Sequence, residues 1–94
     1  MPTAFGFRPH ISRHTLQSGY SVCVAASCHH TGAMRPDAFG VEMDGMRYRY
    51  LIKSVAPGRD MPGLLSFVCE YVDFGRIRSV ILVFDIHNHS WSIG

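Results

Sequence analysis

At 94 residues the chain is the size of one domain, and a polypeptide this short buries only about 60 to 65% of its unfolded surface, enough for a single core. Hydrophobic residues make up 47% of it and charged residues 17%, a balance that argues against disorder. Nine Lys and Arg against seven Asp and Glu give a net charge of +2, far from the basic excess of dedicated nucleic-acid binders.

Taken in chain order, the first regular element is expected at Gly19 to Ala26, GYSVCVAA, where Tyr20, Val22 and Val24 share one face of a strand and small residues the other. Ser27 to Pro36 reads as a polar loop too long for a simple hairpin, holding Cys28, His29 and His30. The clearest local signal follows in Phe39 to Val55, where Asp44-Gly45 stands between two alternating runs. With those two residues in the turn, Met43 faces Met46, Glu42 faces Arg47, Val41 faces Tyr48 and Phe39 faces Tyr50. One face is then apolar, with Phe39, Val41, Met43, Met46, Tyr48, Tyr50 and Ile52, and the other carries Glu42, Arg47, Arg49 and Lys53.

After the turn Ala56-Pro57-Gly58, Asp60 is placed to cap a helix with Pro62 in its first turn. Leu64, Leu65, Val68, Tyr71 and Val72 recur at helical spacing, and Gly75 supplies a left-handed helix end. Ser79 to His87, SVILVFDIH, reads as a central strand buried on both faces, and the C-terminal NHSWSIG as a short edge strand. The expected fold is α+β: one domain, 1–94, with a mostly antiparallel sheet of four or five strands and one α-helix across one face.

Three cysteines, Cys23, Cys28 and Cys69, cannot form a fully paired secreted framework. The N-terminal MPTAFGFRPHISRH lacks the apolar core of a signal peptide, and no apolar run approaches the roughly 18 residues of a membrane span. A soluble cytoplasmic protein is expected.

Histidine is the unusual residue, with six, grouped as His10 and His14, His29 and His30, and His87 and His89. On a continuing strand His87 and His89 point the same way, and Cys28 with His29 or His30 completes a possible zinc set if the long loop folds back. The alternative is that these are ordinary turn and surface residues, since no C-x2-C or H-E-x-x-H spacing accompanies them. Cys28 beside two histidines also raises nucleophilic catalysis, although catalytic partners usually meet from distant parts of a chain. Asp85 near His87 and His89 is a proton-handling or ligand candidate and, more ordinarily, a loop-entry residue.

Arg47, Arg49 and Lys53, with Arg8, Arg13, Arg76 and Arg78 as additions, form a basic strip suited to phosphates or to an acidic protein. With no catalytic constellation in view, the leading expectation is a non-enzymatic docking protein that engages a protein or ribonucleoprotein through Arg47, Arg49, Lys53 and Trp91. By analogy of class alone, such a protein resembles the phage and mobile-element inhibitors of host defence complexes, anti-CRISPR proteins included. Zinc binding and nucleic-acid binding are the alternatives. Low net charge with ample apolar surface also makes a homodimer an expectation.

Overall fold

A computed structural model describes residues 16–94. Six strands follow one another: β1 (Ser21–Cys28), β2 (Met34–Met43), β3 (Met46–Pro57), β4 (Leu64–Asp73), β5 (Arg76–Asp85) and β6 (Ser90–Ile93). Each pairs antiparallel with the next, and β6 returns to β1, closing a barrel. An even strand number makes this closure antiparallel and removes the free edges that an open sheet exposes. The expected α+β fold is therefore corrected to all-β, with no helix among the described residues.

The β2–β3 hairpin follows the expected register, with Met43 opposite Met46, Glu42 opposite Arg47, Val41 opposite Tyr48 and Phe39 opposite Tyr50. Asp44 and Gly45 both have positive φ, 53° and 77°, as a two-residue turn of the twist-matching kind requires. Phe74 and Gly75 repeat the device between β4 and β5, with φ of 52° and 76°. Gly75 thus turns a hairpin rather than ending a helix.

The predicted helix is replaced by most of β4. Cys69, Tyr71 and Asp73 are buried while Val68, Glu70 and Val72 are exposed, the two-residue period of a strand. Pro62-Gly63 forms a tight turn in which Met61 and Leu64 exchange backbone hydrogen bonds, with Gly63 at φ 79°. That is the place a turn gives to Pro followed by Gly. Asp60 caps a strand start instead of a helix, its carboxylate accepting a hydrogen bond from the Ser66 amide at 3.0 Å.

Two further readings are corrected. β5 is buried on one side only: Val80 and Leu82 point inward, while Ile77 and Ile81 are exposed on the other side. The loop after β1 is shorter than expected, because β1 runs to Cys28 and β2 begins at Met34, and His29 and Ala33 close the connection by a backbone hydrogen bond of 2.7 Å. The C-terminal strand β6 is not an edge; it pairs with both β5 and β1.

Inside the barrel, Phe39, Val41, Met43, Cys69, Tyr71, Val80, Leu82 and Ile93 form the core. Phe39, Tyr50 and Tyr71 meet with ring centroids about 5 Å apart, in the tilted and edge-on arrangements that aromatic quadrupoles favour. At one mouth Asp73 is only 4% exposed and faces Arg78, whose Nε lies 3.3 Å from its Oδ2. Burial, then the Asp73 carboxylate, push the Tyr71 phenol above its ordinary pKa, with Arg78 opposing.

Candidate docking surface

The outward side of β3, β4 and β5 departs from the polar surface a small barrel normally shows water. Val72 pairs with Ile77 across β4 and β5, and one step beyond the Ile52–Tyr71 pair Leu51 comes level with Val72. Their exposures are 70% for Leu51, 41% for Val72 and 63% for Ile77, so three apolar side chains form one open row across three strands. A second row, Ala56, Val68 and Ile81, runs four pairs away in the same registers. Between the rows lies a polar line of Ser54, Glu70 and Ser79. Ser54 donates a hydrogen bond to Glu70 at 2.8 Å, which keeps that carboxylate low on the surface. The Phe74 ring is also exposed at the end of the β4–β5 hairpin.

Arg47, Arg49 and Lys53 are exposed on β3, outward as the alternation predicts. Arg47 sits opposite Glu42 and Arg49 opposite Gly40. Lys53 occupies the irregularity where the β3–β4 register slips between Ile52 and Ser54. A cleft of about 490 Å³ beside Arg47 and Arg49 runs along β1 and the β2–β3 hairpin, floored by Val24, Phe39 and Tyr48. Trp91 is half-buried, its ring 5.0 Å from Phe84 and 5.7 Å from Phe67, so most of its surface packs within the chain.

The zinc candidates separate. β1 pairs antiparallel with β6, Val22 opposite Trp91, so Cys28, six residues after Val22, and His89, two residues before Trp91, lie toward the same end of the barrel but about four residues, roughly 13 Å at strand rise, apart along it. Neither His87 nor His89 continues a strand; both lie in the turn between β5 and β6, His89 at φ 52°. His29 and His30 touch each other, their rings tilted with centroids 4.2 Å apart, and His29 also bonds the Thr31 hydroxyl within its own loop. Among the described residues no group of three or more His, Cys, Asp or Glu is placed to hold a metal ion. His10 and His14, like Arg8 and Arg13, lie outside the described residues.

Asp85 is the loop-entry residue of that turn: its Oδ1 accepts hydrogen bonds from the His87 and Asn88 amides, and its Oδ2 from the Asn88 side chain. Those bonds, the Asn88 amide foremost, hold its pKa below the usual carboxylate value. Of the thiols, Cys23 and Cys28 are exposed. Cys69 is fully buried and burial pushes its pKa up to about 11, an inert rather than a nucleophilic state.

Alternation along each strand could have exposed the apolar rows. Leu51, Val72 and Ile77 stand at positions it assigns to solvent, but the helical reading takes in Val72 and the next strand is begun at Ser79, after Ile77, so the row across the three strands does not emerge. Among the described residues no helix is long and apolar enough to cross a membrane. No family model, curated protein or solved structure matches the chain.

Proposed function

We propose that this protein acts by docking rather than by catalysis, and that its contact surface is the outward side of β3, β4 and β5. The observation that carries this reading is the open row of Leu51, Val72 and Ile77, backed by Val68 and Ile81. Six apolar side chains, Phe74 included, are exposed by 37 to 74%, in two rows divided by the polar line of Ser54, Glu70 and Ser79, and apolar groups so concentrated on one side of a small domain mark contact surfaces. Arg49 stands at its margin, while Lys53 and Glu70 lie between the two rows, so apolar and charged anchors alternate across the surface. An inhibitor of the anti-CRISPR kind is one form such docking takes, supported by size and composition alone.

The test is site-specific photo-cross-linking in cells that make the protein, with the probe at Leu51 or Ile77 and, as a control, at Arg35 on β2. Adducts from the first two positions that vanish on Val72→Asp support the reading. Absence of adducts there, or turnover of a substrate that depends on Cys28, overturns it.

Phosphate binding through Arg47, Arg49 and Lys53 has less behind it. Tyr48 and Tyr50 turn toward the core rather than offering rings on which bases stack. An affinity that falls steeply with salt and is lost on Arg47→Ala with Arg49→Ala would favour it.

A further inference from the structure

Along β5 the closure of the barrel reaches only as far as β6 does. That strand pairs with residues 82–85, and the Gly94 amide adds a last bond, 2.8 Å, to the Ile81 carbonyl. β4, by contrast, pairs with the whole of β5 from Arg76 to Asp85. Residues 76–80 therefore have β4 on one side and, among the described residues, no strand on the other. Main-chain groups alternate between the two sides of an antiparallel strand. Since Ile81 faces β6, Ser79 and Ile77, two and four residues before it, send their N–H and C=O groups the same way, where no described residue meets them. A cleft of about 480 Å³ opens along this edge, with Leu16, Tyr71, Ile77, Ser79, Ile93 and Gly94 in its lining.

We infer that an extended segment of a partner protein adds to the sheet here, antiparallel to β5, with apolar side chains outward and acidic ones toward the barrel mouth. The inference rests on the docking reading and names how the partner is held. Main-chain bonds to Ile77 and Ser79 supply the grip, and the side chains at alternate positions supply the choice of partner.

The two sides of β5 set that choice. Ile77 ends the outward row of Leu51, Val72 and Ile77, so an apolar residue opposite it lengthens the row by one strand. Arg76 and Arg78 lie on the inward side, paired with Asp73 and Tyr71. Arg76 is exposed and in no ion pair among the described residues, and the Arg78 Nε finds no hydrogen-bond acceptor. Carboxylates opposite these two give the guanidinium groups the acceptors they favour most. The open stretch matches the usual strand length of about five residues. A second copy paired edge to edge about Arg78 would set arginine against arginine, so an unlike, acidic strand is the better fit.

The experiment pans a phage-displayed library of random decapeptides on the full chain. Fluorescence anisotropy then measures the selected peptides, and NMR reads amide hydrogen exchange. Selected sequences should alternate apolar and acidic residues, and binding should slow exchange at the Ile77 and Ser79 amides. Ser79→Pro removes an edge N–H that β4 does not use and leaves the partner's carbonyl unpaired; it should raise the Kd at least about tenfold with the circular dichroism unchanged. Arg76→Gln, which touches no backbone bond, should weaken acidic peptides about fivefold and flatten their salt dependence. Failure to select peptides, selection of basic ones, or binding that leaves the Ile77 and Ser79 amides unprotected overturns the inference. So does slow exchange of those two amides in the free protein, which would mean that the chain covers this edge itself. If peptides bind in a way lost on Val72→Asp but indifferent to Ser79→Pro, the added strand is wrong and the docking reading stands. If no peptide is selected and Leu51 and Ile77 give no cross-links, both fall.

Discussion

Exchanging the buried charges at the barrel mouth tests how the interior is balanced. Asp73 is 4% exposed, and its only ion-pair partner among the described residues is Arg78, whose side chain is 32% exposed. The Arg78 Nε is itself buried and, although 3.3 Å from Asp73, is not aligned to donate a hydrogen bond. The pair is therefore held by charge more than by directed bonding. Arg78→Met leaves a carboxylate in the interior without its cation and should cost about 3 kcal/mol, the lower end for breaking a buried pair. Asp73→Asn leaves a cation that still reaches water, so solvent screening reduces the loss to about 2 kcal/mol. The double variant should lose about 3 kcal/mol rather than the additive 5, a coupling of about 2 kcal/mol between the sites. Urea unfolding at pH 7 and one fixed protein concentration reads all three. In a domain of this size 1 kcal/mol moves Tm by about 4 to 8 °C, so the effects are easily resolved. A double variant as unstable as the sum of the singles would refute the reasoning.

Leu82, fully buried at the barrel centre, should cost about 3 kcal/mol as Leu82→Ala, against under about 1 kcal/mol for Ile81→Ala on the outward side, both by the same urea titration. Gly45→Ala and Gly75→Ala meet no neighbouring atom, yet force φ near 77° on a residue with a Cβ; each should lose about 1 to 2 kcal/mol and unfold faster in stopped-flow. Cys69, with its folded pKa raised to about 11 from 9.0, favours folding while neutral. That stability is complete below pH 9 and lost as pH rises through 11, by roughly 2 to 3 kcal/mol, with Tyr71 adding in the same direction. Cys69→Ala should flatten the alkaline limb of a denaturation series. A thiol reagent at pH 8 should modify Cys23 and Cys28 quickly and Cys69 only on unfolding, as intact mass at timed quenches will show.

The β2–β3 hairpin was readable to the residue because Asp44-Gly45 specifies its own turn and one polar face opposes one apolar face. The stretch 64–73 was not, and the cause is physical. When both sides of a strand are apolar, Val68 and Val72 outside and Cys69 and Tyr71 inside, its alternation vanishes and the same residues satisfy helical spacing. The surface offered for docking thus erased the signal of the element that bears it. Phe74-Gly75 compounded this, since Gly after a helix-like run suggests a cap and Phe is an unusual residue at positive φ. The histidines misled differently: spacing along the chain said nothing about the distance between two loops that only the closed barrel fixes.

Closure of the barrel rests on little. β1 and β6 share two registered pairs, Ser21 with Ser92 and Val22 with Trp91, supported by backbone bonds from Gly19 to Ile93 and from Ile93 to Tyr20. The β4–β5 hairpin, by contrast, holds ten pairs. A cylinder joined along so short a seam opens there first, and the amides of Gly19 and Ile93, which donate across it, should exchange with solvent well before those of Cys69 or Leu82. Each such opening turns a closed surface into a curled ribbon with two bare margins, so the lifetime of the seam sets how often the chain presents itself for strand exchange with its neighbours.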